Sequence, residues 1–240
     1  MKLTVLIIGC GDLGINLGRE LLEEGHQVIG LRRNVEALKD TGITPLALDL
    51  DSLEEADAKS LPQADYVVYT VSADRFEESA YQSAYPEGLK RVLSVMEQHK
   101  TPPRRVFFVS STSVHGQQEG EVVNEESPTD PTSFSGTLMC EAEQALINHP
   151  LPGTVIRFSG IYGPGRDRLI HQVAEGRVAA ITPVVYSNRI HRDDCTGIIA
   201  HLIRYQERGE TLDDIYLGSD CEPVTMHNVM MWLATQLKVE

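Results

Sequence analysis

Residues 4–14 read T-V-L-I-I-G-C-G-D-L-G, and this stretch constrains the chain more than any other. An apolar β-type run (Val5, Leu6, Ile7, Ile8) stops at Gly9, two more glycines follow at Gly11 and Gly14, and an apolar stripe of helical period (Leu13, Leu17, Leu21) then begins. The pattern is G-x-G-x-x-G between a strand and a helix, the setting in which it signals dinucleotide binding. Gly9 permits the tight turn. Gly11 has no Cβ to hold a pyrophosphate off the backbone, and Gly14 lets helix and strand pack closely. The amides of Asp12 and Leu13 then open a helix whose N-terminus favours an anion.

The remainder of the chain alternates strand and helix. Short apolar runs at 5–8, 27–31, 45–48, 66–70, 106–109 and 154–158 read as strands buried on both faces. Between them lie helical stripes, one carrying Leu89, Val92, Leu93 and Met96 and another carrying Leu138, Ala142, Ala145 and Leu146. Ser52 is expected to cap a short helix over 53–59. Right-handed crossovers turn this order into an α/β fold with a doubly wound parallel sheet. Two long loops, 72–84 and 116–133, leave the carboxyl edge of the sheet, where such folds bind ligands. Beyond Tyr162-Gly163-Pro164-Gly165 the pattern loosens. Residues 1–165 are expected to form the nucleotide-binding core and 166–240 a small mixed substrate lobe with a strand at 215–217.

The chain of 240 residues carries a formal net charge of -14, which argues against nucleic acid or an anionic membrane as partner. Met1-Lys2 leads directly into a strand with no small-residue cleavage site, and no apolar run approaches membrane-spanning length. Cys10, Cys140, Cys195 and Cys221 are scattered, which suits reduced thiols in the cytoplasm and gives no metal-ligand spacing. The second strand is followed by Arg32 and Arg33 where a carboxylate would bind a ribose 2′-hydroxyl, so NADP is expected, with NAD as the alternative. Asp49, after the third strand, suits the adenine amino group or a turn cap, and Leu50 follows it at the same edge.

Four segments carry a family resemblance: the glycine loop, V-F-F-V-S-S-T-S-V-H-G (106–116), V-I-R-F-S-G-I-Y-G-P-G (155–165) and R-I-H-R-D-D (189–194). In order and spacing the chain resembles the extended short-chain dehydrogenase/reductases, the NAD(P)-dependent epimerase/dehydratase group. The resemblance implies a Rossmann core with a C-terminal substrate lobe. It implies a small-molecule substrate and a homodimer through helices at 80–99 and 134–148. It also places Val71, Ser72 and Ser159 near the nicotinamide. Ser111 falls on the family's catalytic Ser/Thr position, although a strand-end serine can equally satisfy backbone. His115 replaces the Tyr of V-Y-G and is read either as a substitute acid/base or as a loop anchor. His191 and Tyr162 resemble residues around the substrate pocket. Asp193 and Asp194 read as helix N-caps, and Arg157 as the partner of a loop carboxylate such as Glu125 or Glu126.

The departures concern chemistry. The glycine loop is one residue tighter than the family's G-x-x-G-x-x-G, and the family's Y-x-x-x-K pair falls on Ser135 and Met139. A tyrosine must be lowered by roughly 3 pKa units, about 4 kcal/mol, to exchange protons near neutrality. Met139 carries no charge to assist, and Ser135 is a much weaker acid that needs an adjacent base. The catalytic candidates are therefore Ser111, Ser135 and His115. Two functions are consistent with them: an atypical NADP-dependent oxidoreductase or epimerase, and a non-catalytic dinucleotide-binding sensor or scaffold.

Overall fold

The computed structural model describes residues 2–53, 58–117 and 119–239. Its strands are β1 (Thr4–Ile8), β2 (Gln27–Arg32), β3 (Thr44–Ala47), β4 (Tyr66–Tyr69), β5 (Arg105–Ser111), β6 (Gly153–Phe158), β7 (Gly160–Tyr162), β8 (Tyr186–Ser187), β9 (Arg189–His191), β10 (Ile215–Gly218) and β11 (Val224–Thr225). Its α-helices are α1 (Asp12–Glu23), α2 (Glu78–Gln82), α3 (Gly88–Glu97), α4 (Phe134–Ile147), α5 (Arg168–Ala174), α6 (Arg192–Glu207) and α7 (Met226–Leu237). Seven strands form one parallel sheet in the order β10-β6-β5-β4-β1-β2-β3. The winding direction reverses between β1 and β4, and this switch point is where open α/β sheets bind ligands.

Strand residues alternate between two apolar layers. Val5, Ile7, Tyr66, Val68 and Phe107 join Leu13, Leu17, Leu21 and Ile199 under α1 and α6. Leu6, Ile8, Val67, Tyr69 and Phe108 join Leu89, Val92, Met96 and Met139 under α3 and α4. Period-two side chains buried on both faces need helices on both faces. The edge strand β3 tolerates Pro45 because only β2 pairs with it.

Three sequence expectations change. The strand at 215–218, assigned to the lobe, pairs in parallel with β6 and completes the main sheet. Helix α6 likewise packs on the core through Cys195, Ile199 and Ile203, while α5 and α7 share a small separate cluster of Val173, Met230 and Ala234. The loop expected over 72–84 is shorter, because α2 begins at Glu78 and continues through a π turn (Ser83–Glu87) into α3. Pro86 supplies no N–H inside that turn, and Tyr69 Oη donates to the Ala84 carbonyl at 2.6 Å. Part of the helix expected over 53–59 lies outside the described residues. The amides that Ser52 would cap lie there too, and the Ser52 hydroxyl itself donates back to the Asp49 carbonyl at 2.7 Å within a 3₁₀ turn.

Candidate functional site

The loop from β1 to α1 gives its three glycines three distinct surroundings. Gly9 has φ +79°, and a Cβ there would lie 2.6 Å from the backbone of Val71 at the end of β4. Both Gly9 N–H and Cys10 N–H donate to the Leu31 carbonyl, at 3.0 and 2.9 Å. A Cβ on Gly14 would meet Ile7 Cγ2 at 2.9 Å and Cys10 Sγ at 3.3 Å, so this glycine sets how close α1 lies to β1. A Cβ on Gly11 would find only the Gly9 carbonyl oxygen, at 3.7 Å, so its outer face is open. Gly11 is also the N-cap and brings no side chain to that role. The first helical bond is Ile15 N–H to Gly11 O at 2.8 Å, and the amides ahead of it have no intrahelical acceptor. Cys10 inside the loop is buried, and that burial pushes its thiol up to about 12.

Gly9 and Gly11 open into a cleft of about 570 Å³. The cleft gathers Arg32, Arg33, Asp49, Leu50, Val71 and Ser72, all expected from sequence. It also gathers Asp51, beside Asp49, and Asp74, Arg75 and Glu77 from the segment after β4. Arg32 Nη1 donates to the Cys10 carbonyl at 3.3 Å. Arg33 Nη2 reaches both oxygens of Asp74, at 2.7 and 2.6 Å. Asp49 Oδ1 accepts from Asp51 N–H at 3.2 Å, the turn-cap role. Asp51 Oδ1 accepts from the Ser83 hydroxyl at 2.7 Å and from Arg91 Nη1 at 2.9 Å, and these bonds hold the Asp51 carboxyl below the usual range.

Four of the expected cofactor residues, Asp12, Leu13, Gly14 and Ser159, stand apart from the cleft lining. Leu13 and Gly14 pack into the core. The Asp12 carboxylate is held by Arg166 Nε at 3.2 Å and Arg192 Nη1 at 2.8 Å. Ser159 is buried after β6, and its hydroxyl has no hydrogen-bond partner among the described residues. The N-cap of α6 is His191, whose Nδ1 accepts from Asp193 N–H at 3.3 Å. Asp193 and Asp194 instead sit in the first turn, where Asp193 accepts from Asn16 on α1 at 2.7 Å. Their charge there suits the helix dipole without capping it. His191 also makes an edge contact with the Tyr162 ring at 5.2 Å.

Ser111, Ser135 and His115 lie outside that lining, where the β5 end meets α4. Ser111 Oγ accepts from Ser113 N–H at 3.1 Å, capping a 3₁₀ turn (Thr112–Val114) and leaving its own O–H to donate. A Cβ on Gly136 would be 2.5 Å from the Ser113 carbonyl, so the first turn of α4 sits directly against this segment. Ser133 caps α4 by accepting from Gly136 N–H at 3.1 Å, and Ser135 Oγ lies 3.1 Å from Ser133 Oγ. Met139, one turn further, is 5% exposed and belongs to the apolar layer. The ring nitrogens of His115 are buried without a well-formed hydrogen bond among the described residues. Burial and the nearby Arg157 charge lower its pKa, outweighing the Pro128 carbonyl and Glu143, so the ring is neutral at neutral pH.

The expected pairing of Arg157 with Glu125 or Glu126 is replaced by one with Glu143. Arg157 Nε lies 3.0 Å from Glu143 Oε1, Nη2 lies 2.7 Å from Oε2, and the Ser110 hydroxyl donates to Oε1 at 2.6 Å. Glu125 accepts from Leu217 N–H instead, at 2.9 Å. The register Ser135, Met139, Glu143 runs at i, i+4, i+8 down one helix face, a signal available in the sequence. Among the described residues no group of three or more His, Cys, Asp or Glu is arranged to hold a metal ion. Nor is any helix long and apolar enough to cross a membrane.

Known proteins share this architecture. The chain is 31% identical over 218 residues to Protein YeeZ of Escherichia coli (strain K12), covering 85% of this chain and 74% of that one. A structure from Methylobacillus flagellatus, described as an NAD-dependent epimerase/dehydratase, superposes with a TM-score of 0.82 at 36% identity, covering 100% of this chain and 84% of the other. The UDP-glucuronic acid 4-epimerase of Bacillus cereus, solved in complex with NAD, has the same fold at 19% identity and a TM-score of 0.79, over 99% of this chain and 85% of the other. The model of the NAD dependent epimerase/dehydratase family matches residues 5–218, from the first residues of β1 to the last of β10, and the chain belongs to that family.

Proposed function

We propose that the cleft binds a nicotinamide dinucleotide, and that the protein is an atypical oxidoreductase- or epimerase-like enzyme acting on a small molecule. The observation that carries this reading is the open face of Gly11, set beside unpaired α1 amides at the mouth of a cleft lined by Gly9, Val71 and Ser72. A pyrophosphate would be met there by the backbone donors of the helix N-terminus. The NAD bound by the Bacillus cereus epimerase supports the same ligand class. Arg32 and Arg33 stand where a carboxylate would select a 2′-hydroxyl, which favours NADP over NAD to the extent that no acid of the cleft already holds them. The dinucleotide would supply the hydride chemistry. Ser111, with a free O–H, would donate to a substrate oxygen. His115, neutral in this setting, is the acceptor available for a proton, and Ser135 stands at the family's tyrosine position. Titration of the purified chain with NADPH and NADH, followed by cofactor fluorescence, tests the reading. Saturable binding of either is expected, and no binding of either would defeat it.

A second reading, a dinucleotide-binding sensor or scaffold without turnover, is favoured by one observation: Met139 is packed in the apolar layer where a lysine would serve the tyrosine. The double change Ser135→Tyr with Met139→Lys separates the two. Reductase activity on simple carbonyls that rises from zero identifies a lost active site. Activity already present in the parent, and lowered by Ser111→Ala, identifies an enzyme.

A further inference from the structure

We propose that Asp74 sets the cofactor preference of this cleft, by competing with a ribose 2′-phosphate for Arg33 and by offering a 2′-hydroxyl the carboxylate that β2 lacks. The inference rests on the reading that a nicotinamide dinucleotide binds there. Arg33 directly follows β2, where a chain selecting NAD would carry an acid. Asp74 is 41 residues further on, in the segment after β4. The two side chains meet across the cleft that both of them line. Both Asp74 oxygens lie on one guanidinium nitrogen, at 2.7 and 2.6 Å, and this bond is the largest cause of the raised Arg33 pKa.

The consequences differ for the two cofactors. A 2′-phosphate needs the Arg33 guanidinium and must displace Asp74 to reach it. The displaced carboxylate then stays tethered beside the phosphate as a like charge. A 2′-hydroxyl meets neither obstacle, and it can donate to an Asp74 oxygen while Arg33 remains paired. The acid absent from the end of β2 is thus delivered by the loop after β4, on the other side of β1 in the sheet. Side-chain exposures of 60% for Arg33 and 61% for Asp74 place the pair in a high dielectric, so it is weak enough to exchange. Arg32 also lines the cleft, and one of its five donors is committed to the Cys10 carbonyl at 3.3 Å. The remaining acids of the lining, Asp49, Asp51 and Glu77, add to the repulsion of a phosphate without contacting Arg33 at hydrogen-bond distance.

The test is the ratio of NADPH to NADH affinity, read by fluorescence titration at fixed ionic strength for the parent chain, Asp74→Asn, Asp74→Ser and Arg33→Ala. Asp74 is exposed and at a loop position, so its replacement leaves the fold intact. Both Asp74 variants are expected to shift the ratio towards NADPH by about fivefold or more, the effect of removing one like charge near a surface phosphate. Arg33→Ala is expected to weaken NADPH more than NADH. Tight binding of both cofactors with the ratio moved by less than about twofold, or moved towards NADH, overturns the role of Asp74 alone. Absence of binding to every variant overturns the dinucleotide reading and this inference with it.

Discussion

Replacing Glu143 by alanine is expected to be the most damaging single change near the site. Glu143 and Arg157 are 2% and 3% exposed at the side chain, and their closest approach is 2.7 Å. At an effective dielectric near 20, two unit charges at that distance attract by about 6 kcal/mol, most of which offsets their own desolvation. Removing the carboxylate leaves the desolvation of Arg157 uncompensated. Arg157 Nη1 already lacks a partner among the described residues, so the guanidinium has no second acceptor to fall back on. The Ser110 hydroxyl also loses its acceptor. Breaking a buried pair in this way costs about 3–5 kcal/mol, which corresponds to roughly 6–20 °C in Tm for a domain of this size. Urea unfolding followed by circular dichroism, with the m-value held common, measures it. Glu143→Met with Arg157→Met removes both charges and is expected to recover most of the loss. A cost below about 1 kcal/mol for Glu143→Ala, or a double variant no better than the single, would refute the reasoning.

Gly11→Ala is expected to leave stability within about 1 kcal/mol of the parent, because its Cβ enters open space, while nucleotide affinity falls at least about tenfold. Gly9→Ala should behave oppositely and lower Tm, since φ is +79° and the new methyl strikes the Val71 backbone; equal behaviour of the two in melting and titration would contradict the geometry. Cys10 and Cys195, both pushed up to about 12 by burial, should resist a thiol reagent at pH 7 until urea is added, whereas exposed Cys221 reacts at once. His115 is held below its ordinary 6.5, so the unfolded chain binds the proton more readily. Its contribution to stability is full above 6.5 and is lost as pH falls below that value. The stability difference between parent and His115→Gln should therefore shrink on acidification from pH 7.5 to pH 5.5, and a difference independent of pH would count against a depressed pKa.

The glycine loop was legible because its chemistry is local. Turn, approach and packing roles all fall within six residues, and the structure gives Gly9 a positive φ, Gly14 a close contact with β1 and Gly11 an open face. The parallel sheet was legible for a related reason, since runs buried on both faces admit few other architectures. What escaped was partner choice. The chain holds 35 acidic residues, so each arginine has many plausible partners in the sequence. Glu143 was chosen over Glu125 for Arg157, Asp74 for Arg33, and Asp12 for both Arg166 and Arg192, which lie 154 and 180 residues away. Strand β10 likewise needed β6 beside it before it belonged to the main sheet. Backbone conformation and burial period are properties of neighbouring residues and can be read from the sequence alone. An ion pair depends on which charges the fold brings within a few ångströms, and only the tertiary structure decides that.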